Sequence, residues 1–138
     1  RKVPGIGWAS FDLPRGNLAD FGQILIEDLA DLLRTIQPTM LVAENYRNLP
    51  WKRGASNFSE NKTSQVIGAL RLYGQMYDVP LVLQAVDKKE MGRMWSGVRF
   101  PKDHSISHQV DAYCHGVYYI VTNKIKSVAA YHRPEIKE

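Results

Sequence analysis

The chain has 138 residues, of which 44% are hydrophobic and 23% charged, and this length allows one domain with a real core but not two. Its single cysteine, Cys114, excludes an internal disulfide framework and a Cys-rich zinc site. A net charge of +4 favours polyanionic partners, because clustered Lys and Arg bind phosphate groups. No apolar run reaches the roughly 18 residues of a membrane span. We expect a cytoplasmic protein without a signal peptide, whose true N-terminus lies upstream of Arg1.

The first third of the chain predicts two strands, a helix and a buried strand. Residues 5–11 are rich in β-branched and aromatic side chains, and turn formers at 14–17 let residues 18–23 return as a hairpin partner. Apolar residues at helical spacing then predict a helix that ends before Pro38. They are Phe21, Ile24, Leu25, Leu29, Leu32, Leu33 and Ile36. The apolar run 40–43 predicts a strand buried on both faces.

The middle of the chain predicts a long loop, a helix and another buried strand. Residues 46–61 have no hydrophobic period and several turn formers, which is typical of a functional or disordered loop. The apolar spacing over 63–77 predicts a helix, and the run 80–86 predicts a strand.

The last third of the chain predicts two helices and a tail. Asp87 and Glu90 have the spacing of a capping box before a short helix that runs towards Trp95. A longer helix is predicted over 105–123, and the charged residues 124–138 are expected to form a peripheral tail. Helices that alternate with buried strands after an antiparallel start predict an α/β fold with a mixed β-sheet flanked by helices.

Glu44 stands at the end of the buried strand over 40–43. A carboxylate there is costly unless it reaches water or holds a cation. Ligand sites in open α/β sheets also lie at the carboxyl ends of strands. Glu44 is therefore the first candidate for a functional residue.

The last predicted helix carries a polar stripe. His104, His108, Asp111 and His115 are spaced by 4, 3 and 4 residues, which places them on one helical face. Together with Glu44, such imidazole and carboxylate groups could hold Mg²⁺ or Mn²⁺. The same spacing also fits a solvated helix face, and it leaves open which histidine would be the ligand.

An ordered set of segments resembles the RuvC-type Holliday junction resolvases of the ribonuclease H-like superfamily. The segments are residues 5–9, Glu44 closing its strand, the helix start at 62–65, the strand 81–86 followed by Lys88 and Lys89, and residues 108–112. The resemblance covers the chain from Arg1 to about residue 123. It implies a ribonuclease H-like mixed β-sheet flanked by helices, in a stand-alone phage or bacterial resolvase.

The resemblance also implies a catalytic centre. In this family, acidic or His side chains bind two Mg²⁺ or Mn²⁺ ions, which activate water and stabilise the leaving oxygen. Glu44 matches the family's strand-borne glutamate, and His108 and Asp111 match its paired ligands on the closing helix. The family's first carboxylate lies on a strand before the segment that begins at Arg1, while Asp12 lies beyond the second strand. Either that first strand lies upstream of Arg1, as we expect, or this version of the family lacks one ligand and is inactive.

Basic and aromatic residues around the predicted centre suggest contacts with DNA, since rings stack on bases and cations meet phosphates. The predicted nucleic-acid-binding residues are Arg47, Trp51, Lys52, Arg53, Phe58, Lys62, Lys88, Lys89 and Arg93. By resemblance, an aromatic residue in the region of Trp51 wedges into the junction, and Lys62 faces the scissile region. Alternatively, Trp51 packs against the domain or a dimer partner, and the basic side chains form an ordinary solvated surface.

The expected function is that of a homodimeric, metal-dependent endonuclease that resolves four-way DNA junctions by paired symmetric nicks. Two alternatives stay open: a related nuclease acting on RNA–DNA hybrids, flaps or single-stranded DNA, and a non-catalytic nucleic-acid-binding module. No membrane partner is expected. The sequence has no phosphate-cradling glycine loop and no Ser-His-Asp or Cys-His set that would indicate a small-molecule enzyme.

Overall fold

The structure is a computed structural model that describes residues 5–12, 16–45 and 57–127, without the side chains of 57–62, 104 and 124–127. The elements in chain order are β1 (Ile6–Asp12), β2 (Asn17–Ile24), α1 (Leu29–Ile36), β3 (Leu41–Asn45), α2 (Asn57–Tyr77), β4 (Leu81–Ala85), α3 (Lys88–Ser96) and α4 (Ser107–Ser127). In the described residues, two small sheets and four helices form an α/β fold, which confirms the predicted class. The chain divides into two compact units, Arg1–Ile36 with Asp87–Glu138, and Gln37–Val86.

In the first unit, β1 and β2 form the predicted hairpin. They pair antiparallel, with Ile6 opposite Ile24 at the open end. The register shifts between Ser10 and Phe11, where a bulge interrupts the pairing. Gly16 has a φ of 79° in the turn, a left-handed conformation that glycine adopts without steric cost.

The backbone of helix α4 packs directly against the backbone of this hairpin. A Cβ atom on Gly7 would overlap the backbone carbonyl of His108, so only glycine lets β1 approach α4 this closely. Tyr113 of α4 anchors a ring cluster, with ring centroids at 5.5 to 6.3 Å from three phenylalanines. These are Phe11, Phe21 and Phe100. The hairpin therefore fixes the position of the first turns of α4.

The core of the first unit is built around α4. Its buried apolar residues are Val110, Cys114, Ile120 and Val121, all at most 7% exposed. On α1, Leu29 and Leu33 are buried one helical turn apart, as their spacing predicted.

In the second unit, β3 and β4 pair in parallel, from Leu41 opposite Leu81 to Asn45 opposite Ala85. Parallel strands need a crossover connection, and α2 lies between them in the chain and contacts both. Leu70 of α2 is buried, as is Leu41 of β3. The other residues of β3 are half-buried rather than fully buried on both faces.

The predicted start of the first helix was wrong. Phe21 and Ile24 belong to β2, where they pair with Ala9 and Ile6, and α1 begins only at Leu29. A 3₁₀ turn, Ile26–Asp28, joins the two elements. A spacing of three residues favours a helix over an alternating strand, and the pairing with β1 overrides it.

Three other boundaries differ from the prediction. Helix α2 begins at Asn57, so the predicted loop 46–61 is wrong in its last residues, while 46–56 lie outside the described residues. Helix α4 begins at Ser107, after the 3₁₀ turn His104–Ile106, and continues to Ser127, so residues 124–127 are helical.

None of the helices in the described parts of the chain is long and apolar enough to cross a membrane.

The predicted capping box before α3 is also wrong. Asp87 has helical angles, φ −72° and ψ −12°, and its side chain makes no cap hydrogen bond. A capping side chain normally extends from a residue in the β region. Glu90 instead approaches Arg93, with 3.9 Å between Oε1 and Nε.

Candidate functional site

Asp111 on α4 forms an ion pair with Lys89 on α3. Lys89 Nζ donates a hydrogen bond to Asp111 Oδ2 over 3.1 Å, and the two side chains are only 22% and 31% exposed. Hydrogen bonds between charged groups are stronger than neutral ones, and salt screens partly buried pairs less than exposed pairs. The charge of the predicted metal ligand Asp111 is therefore balanced by a residue that was predicted to contact DNA.

The close packing of α3 on α4 holds this pair in place. Gly92 lies against the backbone carbonyl of Cys114, and a Cβ atom at position 92 would overlap that oxygen. Lys89 precedes Gly92 by three residues, and Asp111 precedes Cys114 by three. Residues three apart lie on the same helical face, so the glycine contact brings the two charged side chains within reach of each other.

The N-terminus of α4 is capped by Gln23 from β2. Gln23 Oε1 accepts hydrogen bonds from the backbone N–H groups of His108 and Gln109, at 3.0 and 3.1 Å. Its Nε2 donates to the carbonyl of Ser105 at 2.9 Å. The first N–H groups of a helix have no partner within the helix, and Gln23 provides one. Sequence reasoning missed this residue because it lies 85 residues from His108 and has no local capping signal.

The predicted polar stripe of α4 does not share one environment. His108 is exposed and Asp111 half-buried, whereas His115 is only 5% exposed. The side chain of His104 lies outside the described residues. Among the described histidines, His108 is thus the one that combines access to solvent with a position one turn from Asp111.

Glu44 lies at the predicted place, one residue before the end of β3. Its neighbour in the parallel register is Gln84 of β4, which is 7% exposed, while Glu44 is half-buried. Glu44 belongs to the second unit, and His108 and Asp111 belong to the first. Because each unit is described by itself, the joint site of these three residues stays a prediction.

The donor groups on α4 are chemically suited to a divalent ion. Within the described residues, no group of three or more His, Cys, Asp or Glu is arranged to hold a metal. Asp111, however, already holds a cation, since the Lys89 ammonium lies on its Oδ2. A part-exposed carboxylate with an imidazole one turn away offers the oxygen and nitrogen ligands that Mg²⁺ or Mn²⁺ accepts. His108 and Asp111 thus carry donor atoms of the right kind, and their role as metal ligands stays a prediction.

Burial makes the Cys114 thiol chemically inert. Loss of solvation raises its pKa from 9.0 to about 11, with smaller opposing effects of Arg93 and Lys89, which lower it, and of Asp111 and Glu90, which raise it. The thiolate is the nucleophilic form of cysteine. Cys114 is therefore neutral near pH 7 and is a core residue rather than a nucleophile.

Lys88, another predicted DNA contact, lies above an aromatic ring. Its Nζ is 5.7 Å from the centroid of the Tyr118 ring, which is a cation–π distance. Trp95 stacks on the same ring, with 5.5 Å between centroids and 2° between planes. At the start of α3, the ammonium of Lys88 therefore lies over the Tyr118 ring, and Trp95 stacks on that ring in turn.

The remaining predicted DNA contacts are mostly not tested by the structure. Arg93 is 41% exposed beside Glu90 on α3. Phe58 and Lys62 belong to α2, but only their backbone is described. The basic loop also lies outside the described residues, with Arg47, Trp51, Lys52 and Arg53.

No protein-family model, curated protein or solved structure matches this chain.

Proposed function

We propose that this protein is a metal-dependent, structure-selective endonuclease of the RuvC type that resolves four-way DNA junctions by paired symmetric nicks. The order of its elements supports this assignment. An antiparallel hairpin and a helix precede a parallel β–α–β unit, and α4 with Asp111 follows. This order is compatible with a ribonuclease H-like mixed sheet flanked by helices.

The position of Glu44 carries the proposal. It is half-buried near the carboxyl end of β3, in parallel register with β4. The carboxyl ends of parallel strands are where open α/β folds bind their ligands. A carboxylate that is partly removed from water at this edge is suited to binding a cation.

The proposed catalytic residues are Glu44, His108 and Asp111, which would bind two Mg²⁺ or Mn²⁺ ions. When bound, such ions activate water and stabilise the leaving oxygen of a phosphodiester. Lys89 brings a positive charge directly to Asp111. Lys88 and Arg93 on the same helix add further positive charge, which would attract the phosphate backbone despite the nearby carboxylates.

The proposal includes a homodimer on the junction. Paired nicks in a two-fold symmetric substrate need two active sites related by a two-fold axis. In analytical ultracentrifugation with a four-way junction, we expect two protomers per junction. Binding of a single protomer at saturating protein would contradict the dimer.

The direct test is cleavage of a labelled synthetic four-way junction by the natural full-length protein. Linear duplex, RNA–DNA hybrid and flap substrates serve as controls, each with Mg²⁺, Mn²⁺ or EDTA. We expect paired, metal-dependent nicks in the junction alone. Cleavage of hybrid or flap in preference to the junction would replace the proposed substrate, and binding without a product in any metal would indicate a non-catalytic module.

Substitutions then test the site. Glu44→Gln and Asp111→Asn should abolish cleavage while leaving junction binding intact, because the amides keep the shape but lose the charge that holds a cation. Asp31→Asn is a matched control, since Asp31 is 75% exposed on α1 and pairs with Arg34. Wild-type cleavage by either site variant would show that the site is wrongly assigned.

A further inference from the structure

The ion pair between Lys89 and Asp111 differs from the exposed pairs of the same unit. Its side chains are 22% and 31% exposed, against 71% and 75% in the pair of Arg34 with Asp31. Exposed pairs are worth little because water and salt screen them. Salt screens a partly buried pair between two helices much less than it screens these exposed pairs.

The packing around this pair fixes the backbone of Lys89, but it lets the lysine side chain rotate. The contact of Gly92 with Cys114 fixes the distance between the backbones of α3 and α4. The lysine side chain itself has rotatable bonds and a compact ammonium head. Lys89 can therefore leave Asp111 by rotation of its side chain, without any movement of the helices.

We propose that Lys89 is an internal counter-ion that alternates between Asp111 and a DNA phosphate, and so couples DNA binding to metal loading. The inference rests on the proposed function, in which Asp111 is a metal ligand. Without DNA, the ammonium occupies Asp111 Oδ2 and repels a second cation. A phosphate near α3 offers the ammonium a new partner, and Asp111 then becomes free to bind a divalent ion.

This coupling has a required symmetry. If DNA tightens metal binding by a given factor, the metal must tighten DNA binding by the same factor. This coupling would keep the affinity of the DNA-free enzyme for the divalent ion low. The metal site would be filled only when DNA is bound. Cleavage needs the metal, the DNA and every residue of the site together. Metal binding is therefore the readout that isolates the effect of Lys89.

The test is titration of Mn²⁺ into the protein, with free Mn²⁺ followed by electron paramagnetic resonance, in the absence and presence of a junction whose backbone is chemically modified so that it cannot be cleaved. For the DNA-free protein, Lys89→Met should bind Mn²⁺ on the order of tenfold more tightly than wild type, a typical coupling factor. Adding the junction should tighten Mn²⁺ binding to wild type by a similar factor and leave Lys89→Met unchanged.

Two variants control for charge and for folding. Arg34→Met removes the same charge from α1, where Arg34 is 71% exposed and pairs with Asp31, and should bind Mn²⁺ like wild type. Lys89→Arg keeps the positive charge and should keep the weak binding of the DNA-free protein. Circular dichroism of each variant checks that the helices are intact.

The possible failures are distinguishable. If Lys89→Met binds Mn²⁺ no more tightly than wild type, while Asp111→Asn loses Mn²⁺ and junction cleavage, the counter-ion role is overturned and the proposed function stands. If wild type and Asp111→Asn bind Mn²⁺ equally, Asp111 is not a ligand, and both the counter-ion role and the proposed site are overturned.

Discussion

Gly92 on α3 lies directly against the backbone carbonyl of Cys114 on α4, with no room for a Cβ atom between them. The two helices meet at this point with backbone against backbone rather than through side chains. Lys89 and Asp111 form their ion pair one turn away on the same helices. The packing of α3 on α4 and the geometry of the ion pair therefore both depend on Gly92.

Gly92→Ala should destabilise the protein by about 2 kcal/mol or more, because overpacking costs typically 1 to 3 kcal/mol and the obstacle here is backbone. Urea unfolding followed by circular dichroism measures the change. Gly68→Ala is the matched control, since Gly68 is exposed on α2 with nothing within 4 Å of its Cβ position. That control should be neutral or stabilising by up to about 1 kcal/mol. Equal effects of the two substitutions would contradict the close contact.

Gln23→Ala should cost about 1 to 3 kcal/mol, because it leaves the N–H groups of His108 and Gln109 without their partner. The loss should appear first as faster amide hydrogen exchange at these two residues. Gln65→Ala removes the same side chain from an exposed position of α2 and should change stability by less than about 0.5 kcal/mol. Unchanged exchange at residues 108 and 109 would show that Gln23 does not cap α4.

The raised pKa of Cys114 predicts a loss of stability at high pH. The thiol has a pKa of about 11 in the folded protein and 9.0 in a solvated reference. The folded protein thus binds this proton more tightly than the unfolded chain, so the contribution is fully present below about pH 9. It is lost as the pH rises towards 11, at up to about 1.4 kcal/mol per pH unit.

The measurement compares wild type with Cys114→Ala in urea unfolding at several pH values from about 7 to 10.5. Other groups titrate in both proteins, so only the difference between them reports on the thiol. We expect this difference to be constant up to about pH 9 and then to shift in favour of the variant. A difference that stays constant to the highest pH would contradict the burial of the thiol.

The parts of the fold that were predicted correctly depend on local patterns. The runs that became β3 and β4 are apolar and bounded by a proline or a polar residue, and the hairpin has turn formers between two strand-like segments. The start of α1 failed because Phe21 and Ile24 have helical spacing, while the turn formers before them also let the same segment return as a strand. Only the partner strand β1 resolves this ambiguity, and pairing between strands is not a local property of the sequence.

The candidate site was predictable only in part. Asp111 was found from its spacing on one helical face, but its partner Lys89 lies 22 residues away on another helix, and no local pattern connects them. One available signal was Gly92, because a glycine within a helix costs about 1 kcal/mol relative to alanine and so suggests a packing reason. This signal would indicate a close contact of α3 but not its partner, which the structure shows to be α4.

The positive charges of α3 predict the salt dependence of junction binding. Each phosphate contact contributes roughly 0.9 to the slope of log affinity against log salt concentration. If Lys88 and Arg93 meet phosphates, the double variant Lys88→Gln, Arg93→Gln should bind the junction more weakly and reduce the slope by about 2. Fluorescence anisotropy at a series of salt concentrations measures both quantities.

The matched control for that measurement is Arg34→Gln. Arg34 is 71% exposed on α1 and pairs with Asp31, so its removal changes the net charge without touching α3. We expect Arg34→Gln to keep the wild-type slope, because a distant charge releases no counterion from the bound DNA. If Arg34→Gln lowered the slope by half as much as the double variant, the binding would depend on net charge alone, and α3 would not be part of the DNA-binding surface.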